Sequence, residues 1–549
     1  MADNCGDAST DMLRGAGSRW GRCVPKMVLL AGLVVYSLAI VSIVDESFPS
    51  NVDAVRFLIL SHSILSGEGY TDIHRPLSLP HTRFPPVLPC MFAAVQWIAP
   101  GSLVPMKLAV ASFGLLSIIA FYLFFRRLVG DLLAALLAVT IGIQLEMLRF
   151  SQQLMSDVPY IFFSILALFL IVRRVQSRQA GVWLEIAIGV ALSLATLTRT
   201  IGLSLFAAFL VSVLLDRGFK KKVRCLSVVS LILLSSQGAW EVRNYVALGR
   251  FLPIYGDQLV RNYFRNGREG LVGPVDLLRG SIHNIGVHSR HLVQMTLPCL
   301  SFLPLFLPFF ALIAAFGWVA RLVRRRDVIE FYVLFYALIL LPWPWAFDRF
   351  LLPIAGLLIF YFVQGFGLAV QRIWTGVRSA FVQLAAKTTG SAERHWTDGP
   401  LNVASTSLVS VILLVSLFVP AVLVSSERAR DRFDRPPPDL GEFIVAASWI
   451  REHTPQDAVI LTERSESSFI ISGRKSFRPS DYQAEAMFRD AVAKDHLFVI
   501  ESTKPQYNTA SKPIARTLER TRGYWHVVFR TGSTYVIAQN GADAMQGQL

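Results

Sequence analysis

Long apolar stretches recur along this chain, and they limit its fold more strongly than any other feature of the sequence. A helix needs about 20 mostly apolar residues to cross a lipid bilayer. The sequence provides such stretches at about residues 25–44, 104–125, 131–148, 157–173, 181–198, 200–216, 223–241, 297–320, 329–345, 350–370 and 404–424. The pattern predicts a mainly α protein, a polytopic membrane helix bundle of about 11 spans.

The composition agrees with this class of protein. Of the 549 residues, 53% are hydrophobic and 17% are charged, whereas an ordinary soluble domain has about 25% charged residues. This excludes a cytosolic enzyme, and the many aromatic residues exclude intrinsic disorder. The net charge is +15, and in a membrane chain such an excess indicates loop orientation and contact with anionic headgroups. We expect membrane lipid, and no nucleic acid, among the partners.

The positions of the basic residues predict the orientation of the chain. Arginine and lysine cluster in the N-terminal segment 1–24 and then in every second turn, including 220–222. Because basic loops remain in the cytoplasm, we expect a cytoplasmic N-terminus and a multi-pass protein of the plasma (inner) membrane. The alternation requires that 84–98 does not cross the membrane, so we expect a helix that lies at its outer interface.

Three regions are expected outside the bilayer. Two are the outer loops 45–103 and 243–294 of a transmembrane domain that spans 25–424. The third is the tail, 425–549, which has the composition of a small extracytoplasmic C-terminal α/β domain. Its periodicities predict helices at 440–453, 481–493 and 514–522 and strands at 458–463, 497–501, 525–530 and 534–538.

Two aspartates at the predicted outer ends of spans are candidates for chemistry, because an ionisable residue near membrane depth is costly to keep. Asp53 precedes an apolar periodic stretch, and Asp157 precedes Pro159 at the start of the fourth span. Each also suits the start of a helix, where aspartate is a preferred cap and proline fits the first turn. Their combination with arginine on the same outer side favours a functional site.

The arginines and histidines of this side differ in their expected roles. Arg199 and Arg349 accompany the two aspartates, whereas Arg56 and Arg149 are expected to snorkel to headgroups. His62 and His81 have no partners at metal-ligand spacing, and we expect both to be structural. Signatures of nucleotide-driven transport and of serine hydrolysis are absent from the sequence.

The order of several short motifs resembles the GT-C glycosyltransferases that use polyprenyl-phosphate sugars, the group that contains protein O-mannosyltransferases and aminoarabinose transferases. The resembling motifs are an acid after span one (Asp53), a G-x-G-Y turn ending in Tyr70, an R-x-P-P segment beginning with Arg83, an S-D-x-P segment with Asp157, an L-T-R-x-x-G segment with Arg199, an R-N pair beginning with Arg243, and an R-F-L-L-P segment beginning with Arg349. The resemblance covers most of the chain and implies a GT-C fold. One departure concerns the first acid, because an Asp45–Glu46 pair ends span one eight residues earlier. We favour Asp53, whose spacing to the later motifs matches the family better.

The resemblance implies an integral membrane glycosyltransferase that transfers a sugar from a polyprenyl-phosphate donor to an acceptor hydroxyl, by an inverting single displacement at the outer face of the membrane. Such a reaction needs a base for the hydroxyl proton and cations for the developing phosphate charge. Asp53 is the expected base and Asp157 the second acid. The expected substrate-binding residues are Arg83, Arg199, Arg243, Arg349 and Tyr70. The acceptor is a glycolipid, a glycan or a protein.

No cofactor is expected, although a divalent cation remains open. The alternative function is a polytopic transporter or lipid-sugar flippase, in which acids and arginines form a relay within the spans. Polar residues that gather on one side, together with a large outer loop and an outer domain, favour the transferase. For the tail, we expect a structural or acceptor-guiding role.

Overall fold

A computed structural model of the chain describes residues 7–177, 181–216, 218–249, 272–296, 306–389, 438–478, 487–488, 490–491, 497–502 and 525–539. The predicted span 404–424 and the predicted helix 514–522 lie outside these residues, as does most of the predicted helix 481–493.

Helices dominate the described residues, as the sequence predicted. The helices are α1 (Asp7–Ile43), α2 (Val52–Leu65), α3 (Val87–Ile98), α4 (Val104–Phe125), α5 (Asp131–Gly142), α6 (Leu145–Ser151), α7 (Asp157–Gln176), α8 (Val182–Thr198), α9 (Leu203–Leu215), α10 (Lys222–Leu248), α11 (Pro274–Thr296), α12 (Phe306–Arg324), α13 (Val328–Leu340), α14 (Leu352–Thr389), α15 (Pro438–His453) and α16 (Ser465–Ser472). Short 3₁₀ turns occur at Thr200–Gly202 and Asp348–Phe350.

Five helical segments of the described chain are long and apolar enough to cross a membrane. They are Cys23–Ile43, Val104–Phe125, Asp157–Gln176, Lys222–Leu248 and Leu352–Ala380, and α5 with α6 forms a sixth if this pair, bent by 58°, is one span. The predicted count of about 11 is therefore not confirmed. One reason is that apolar runs include turns: the run 329–345 becomes the 13-residue helix α13, because Pro342 and Pro344 cannot continue it.

The chain divides into two compact units. The helical unit contains Met1–Val44, Val110–Gln152 and Ser156–Ala429. The mixed unit contains Asp45–Ala109, residues 153–155 and Arg430–Leu549. The first outer loop and the C-terminal tail, which are distant in the sequence, thus belong to one compact unit.

Close helix packing and buried ion pairs hold the helical unit together. A Cβ on Gly317 of α12 would meet the carbonyl oxygen of Tyr361 in α14, so these two helices approach at a distance that only glycine permits. Glu185 of α8, completely buried, accepts hydrogen bonds from Arg174 at 3.0 Å and from Arg224 at 2.9 Å. Three helices, α7, α8 and α10, are joined at this carboxylate.

A five-stranded sheet forms the C-terminal part of the mixed unit. Its strands are β3 (Val459–Leu461), β4 (Lys475–Phe477), β5 (Leu497–Ser502), β6 (Trp525–Thr531) and β7 (Thr534–Gln539), after β1 (Thr71–Asp72) and β2 (Leu79–Pro80) of the first loop. The order is β4-β3-β5-β7-β6, with β3 parallel to β4 and β5, and β7 antiparallel to β5 and β6. Strands appear where the tail pattern predicted them, and α15 lies at the predicted 440–453; α16 and β4 were not predicted.

Alternation along the strands gives this sheet two apolar faces. Ile460, Ile500 and Val536 pack with α15, whereas their neighbours, such as Leu461 and Val499, form a second core on the other face. The first loop continues the sheet edge, because the Ser476 N–H of β4 donates to the carbonyl oxygen of His74 at 2.6 Å. In the same loop, Phe57 of α2 packs on Phe84, which lies before the start of α3; their ring centroids are 4.9 Å apart.

A buried ionic cluster links the first outer loop to the tail within the mixed unit. Glu466 of α16 is 1% exposed. Its Oε1 accepts from Nε and Nη2 of Arg56, at 2.8 and 2.7 Å, and its Oε2 accepts from Arg478 and from the Ser465 hydroxyl. Arg56 was expected to snorkel to headgroups, but its guanidinium binds a carboxylate 410 residues away in sequence instead.

Candidate functional site

Asp157 lies in the first turn of α7 and is completely buried. Its Oδ1 accepts from Nη1 of Arg199, while Oδ2 is buried without a hydrogen-bond partner among the described residues. The capping position belongs to Ser156, which makes no side-chain cap bond. Asp157 is therefore not the helix cap: its contact is an ion pair, and a buried carboxylate oxygen retains unused hydrogen-bonding capacity.

A sharp break in the helix presents Arg199 to this carboxylate. The residue ends α8 in an extended conformation, with φ −149° and ψ 129°, and a 3₁₀ turn follows at Thr200–Gly202. A Cβ on Gly202 would lie 2.9 Å from the backbone of Thr196, which explains why this turn requires glycine. The L-T-R-x-x-G motif is thus a helix end that aims an arginine at Asp157.

Two of the predicted arginines converge on one aromatic ring. The guanidinium carbons of Arg199 and Arg349 lie 5.7 Å and 5.0 Å from the ring centroid of Phe350. The Tyr336 hydroxyl fixes the turn that carries this ring, because it donates to the carbonyl oxygen of Phe350 at 2.7 Å. The structure therefore brings together Asp157, Arg199 and Arg349, which come from three separate motifs. We call these three residues, together with Phe350, the phenylalanine cluster.

A second set of charges lies on the same turn, and the sequence reasoning did not predict its pairing with Arg149. Asp348 accepts from the Arg349 N–H at 2.7 Å through Oδ1 and from Arg149 at 3.3 Å through Oδ2. Arg149 also binds Glu146 at 2.8 Å. Arg149 was expected to snorkel; the structure gives it two carboxylate partners instead, and through Asp348 it holds the backbone that carries Arg349.

Arg243 occupies the end of α10. Its Nη1 donates to Asn244 at 3.0 Å, and its guanidinium lies 5.2 Å from the ring of Trp240. These contacts are with neighbours on the same helix, and the contacts that define the phenylalanine cluster do not include Arg243.

In the mixed unit, Asp53 stands in the first turn of α2, and the cap of this helix is Asn51, whose side chain accepts from the Asp53 N–H at 2.9 Å. The expectation that Asp53 itself could be the cap is wrong, because a better-placed amide precedes it by two residues. Its carboxylate is thus not needed to begin the helix.

Tyr70 and Arg83 lie in a loop that side-chain hydrogen bonds hold in place. The Tyr70 hydroxyl hydrogen-bonds the carbonyl oxygens of Phe84 and Pro85, at 2.9 and 3.2 Å. The Phe84 N–H donates to Nε2 of His81, so that Nδ1 carries the ring proton and donates to Asp72 at 2.8 Å. Burial lowers the pKa of His81 and favours this neutral ring.

Arg83 lies within this hydrogen-bonded loop, between His81 and Phe84. Its guanidinium lies 5.3 Å from the ring centroid of Phe84, and its Nε is buried without a hydrogen-bond partner among the described residues. Tyr70 therefore holds the backbone beside Arg83.

The competing acids of the first loop have structural contacts. Asp45 binds Lys107 at 3.0 Å, and Glu46 accepts from Ser102 and from the Leu103 N–H. Hydrogen bonds from Ser102 and Leu103 hold the pKa of Glu46 below its usual range. The pair fixes the entry to α4.

A search of the described residues finds no group of three or more His, Cys, Asp or Glu side chains placed to hold a metal ion. His81 serves as the loop brace, and His62 hydrogen-bonds Gln96 at 3.1 Å.

Comparison with known proteins agrees with this architecture. A family model described as dolichyl-phosphate-mannose-protein mannosyltransferase matches residues 83–240, which include Arg83, Asp157 and Arg199. No curated protein sequence matches the chain.

Several solved structures resemble it at low sequence identity, among them the following three proteins. ArnT from Cupriavidus metallidurans, bound to undecaprenyl phosphate, matches with a TM-score of 0.57 and 12% identity over 93% of this chain and 98% of its own. Archaeal oligosaccharyltransferase AglB from Archaeoglobus fulgidus, in complex with an inhibitory peptide and a dolichol-phosphate, matches with a TM-score of 0.55 and 14% identity over 94% of this chain and 74% of its own. The mycobacterial arabinofuranosyltransferase AftD matches with a TM-score of 0.53 and 12% identity over 94% of this chain and 42% of its own.

The protein has the GT-C fold, the fold of these membrane glycosyltransferases, and the predicted resemblance is confirmed.

Proposed function

We propose that the protein transfers a sugar from a polyprenyl-phosphate donor to an acceptor hydroxyl at the outer face of the plasma membrane. The observation that carries the proposal is the convergence of Arg199 and Arg349 on Phe350, with Asp157 buried against Arg199. Two guanidiniums on one ring form a cationic pair that suits a phosphate. Arginine is apt here, because its planar fork binds phosphate bidentately and keeps its charge.

In this proposal each side chain has one task. Arg199 and Arg349 hold the donor phosphate, and their charge stabilises the phosphate that leaves the anomeric carbon. Asp157 orients Arg199. Asp53 takes the proton of the acceptor hydroxyl, and Arg83 is a further phosphate-binding candidate. The structural contacts of Asp45 and Glu46 support the choice of Asp53 as base.

The membrane setting of the proposal follows from the donor, because an isoprenoid tail must enter from the bilayer. An outer-face reaction requires that α3 does not cross the membrane. This helix has only 12 residues and exposes Trp97 (79%) and Ile98 (76%), as an interfacial helix would.

Reporter fusions test the proposed orientation. A phosphatase fused after Gln546 should be active and one fused after Lys221 silent. The reverse pattern would place the tail in the cytoplasm and overturn the outer-face reaction.

Glycan profiling tests the activity and identifies the acceptor. Membranes of a deletion strain, compared with those of the complemented strain, should lack one glycolipid, wall polymer or glycoprotein modification. Complementation with Asp53→Asn should fail to restore it. Identical profiles in the deletion and complemented strains would contradict the proposal.

A further inference from the structure

A pocket with two arginines lies at the turn between α4 and α5. Its volume is about 320 Å³, and it is lined by Leu123, Arg126, Arg127, Asp131 and Phe169. This volume lies at the lower end of the range of small-ligand sites, about 300–1,000 Å³. We call these five residues the basic pocket. All of them belong to the helical unit.

The basic pocket lies one helix length away from the phenylalanine cluster. α7 begins at Asp157, a member of that cluster, and its 20 residues extend about 30 Å at a rise of 1.5 Å per residue. The last residue of α7, Gln176, donates from its side-chain amide to the carbonyl oxygen of Arg127 at 3.4 Å. Because the hydrocarbon core of a bilayer is also about 30 Å thick, the two places belong to opposite membrane surfaces.

The positive charge of the basic pocket is only partly compensated. Nη2 of Arg126 is 3.5 Å from Oδ2 of Asp131, but the side chains are 43% and 52% exposed, so solvent screens this pair. The guanidinium of Arg127 lies 5.9 Å from the ring centroid of Phe169 and has neither an ion pair nor a hydrogen bond among the described residues. Two arginines and one aspartate give the pocket a net charge of +1.

The backbone of the turn adds to this positive potential. At the end of α4, the N–H groups of residues 126–129 all donate to carbonyl oxygens of the last helical turn. α5, by contrast, begins after Gly130 without a side-chain cap hydrogen bond. The first N–H groups of α5 therefore lack a capping acceptor and, together with the helix dipole, attract an anion.

The remaining walls of the basic pocket are apolar and half-buried. Leu123 and Phe169 belong to α4 and α7, two helices that are long and apolar enough to cross a membrane. A ligand in this pocket contacts cationic groups at one end and the apolar surface of two helices at the other. This arrangement favours a phosphate attached to a lipid over a free phosphate, because a soluble anion gains nothing from an apolar wall.

We propose that the basic pocket binds the phosphate headgroup of an anionic phospholipid, at the membrane surface opposite to the proposed donor site. Arg126 and Arg127 would hold the phosphate oxygens, a task that suits the planar guanidinium fork. The inference goes beyond the proposed function and does not depend on it, because neither a sugar donor nor an acceptor takes part in the binding.

Lipid binding by the purified full-length protein in an uncharged detergent is the first readout. Native mass spectrometry measures its affinity for phosphatidylglycerol, a phospholipid with one negative charge. Arg126→Gln/Arg127→Gln should weaken this binding about tenfold, because two basic contacts to the headgroup are lost. Asp131→Asn should strengthen it about two- to threefold, because it removes a carboxylate that repels the phosphate. A merely structural role of the turn would not produce this gain.

Arg324→Gln/Arg325→Gln is the matched control, because it removes the same charge from two exposed arginines outside the basic pocket. These residues lie at the same end of the helical unit. The guanidinium of Arg321 in α12 is 5.3 Å from the ring of Phe360, and this ring is 5.2 Å from that of Phe125 in α4. The control variant should bind phosphatidylglycerol as the wild type does.

Two soluble probes distinguish a lipid from a free phosphate. Glycerol 1-phosphate carries the headgroup phosphate without acyl chains, and inorganic phosphate carries the anion alone. Both should displace phosphatidylglycerol only at concentrations at least about a hundredfold higher, because they bury no apolar surface. If glycerol 1-phosphate competes as strongly as the lipid, the ligand is a soluble phosphate ester and the lipid assignment is wrong.

A photoreactive phosphatidylglycerol locates the bound lipid. Its crosslinks, mapped by peptide mass spectrometry, should fall on residues 123–131 and on the segment around Phe169, and they should be lost in Arg126→Gln/Arg127→Gln. Three outcomes would overturn the inference: no binding by the wild type, an equal loss of binding in the pocket variant and in the control variant, or crosslinks confined to the peptides of the phenylalanine cluster.

Discussion

Two buried carboxylates, Asp157 in the helical unit and Glu466 in the mixed unit, each bind an arginine, but they differ in how completely they are satisfied. Glu466 uses both oxygens, with two arginines and a serine as donors. Asp157 uses one oxygen, and its other oxygen is buried with no partner in the described part of the chain. Its arginine, moreover, lies on a ring that a second arginine also contacts.

The difference separates a structural ion cluster from the proposed donor site. A carboxylate with every lone pair engaged has no capacity left for a ligand, and breaking it mainly costs stability. Glu185, held by Arg174 and Arg224, is a second example of this closed kind. The free oxygen of Asp157 can still accept a hydrogen bond from a ligand, and the convergence of two guanidiniums on Phe350 is the reason to place the donor phosphate beside Arg199 and Arg349.

The largest expected effect concerns the two acids of the first loop. Asp53→Asn keeps the shape of the side chain while removing the proposed base, so transfer should fall by about 10²–10⁴. Glu46→Gln is its control and should retain activity, because Glu46 only holds the entry to α4. An active Asp53→Asn beside an inactive Glu46→Gln or Asp45→Asn would move the base to the earlier pair.

The contrast between open and closed carboxylates gives the next prediction. Asp157→Asn removes the charge that orients Arg199, and transfer should fall by about ten- to a hundredfold with little change in unfolding temperature. Glu185→Gln leaves two arginines around a neutral side chain and should lower the free energy of unfolding by about 3–5 kcal/mol, with the donor dependence unchanged. Reversed results for the two variants would break the distinction.

A smaller effect concerns the stability of the mixed unit at acid pH. Burial lowers the pKa of His74 to about 4 from an ordinary value near 6.5. Between these values the unfolded chain binds a proton that the folded chain excludes, so stability is lost as pH falls from about 6.5 to about 4, by up to about 3 kcal/mol. Unfolding of His74→Phe, followed at pH 7, 5.5 and 4.5, should show a flatter slope.

His526→Gln, at an exposed histidine of β6 in the same unit, is the substitution control for this experiment. The same slope for wild type and His74→Phe would show that His74 titrates normally in the folded protein. Glu466 acts at lower pH: although burial opposes it, the charges of Arg56 and Arg478 hold its pKa well below its usual range. Its contribution is present above the ordinary pKa of about 4.3 and is lost as the solution is acidified further.

The sequence predicted the membership of the phenylalanine cluster better than its geometry. Asp157, Arg199 and Arg349 stand in motifs whose order indicated a common site, and local features such as the Gly202 turn follow from residue type. Phe350 carried no separate signal, because one phenylalanine among 38 is indistinguishable until the turn at Asp348–Phe350 is folded.

Non-local pairings were beyond prediction from a single sequence. The partner of Arg56 is 410 residues away, and Glu466 lies in a serine-rich segment with no periodic pattern to mark it. The length of α13 was overestimated for a different reason: hydropathy counts apolar turn residues such as Pro342 and Trp343 with the span, whereas hydrogen bonding ends α13 at Leu340.

Donor binding tests most directly whether the arginines on Phe350 hold the lipid phosphate. Titration of the purified protein with a polyprenyl phosphate should show binding weakened about tenfold in Arg349→Lys and in Arg199→Lys, because an ammonium lacks the planar fork. Arg224→Lys, at the closed carboxylate Glu185, should bind as the wild type does. Equal affinity in all four proteins, and in Arg349→Ala, would remove these arginines from the donor site and contradict the account.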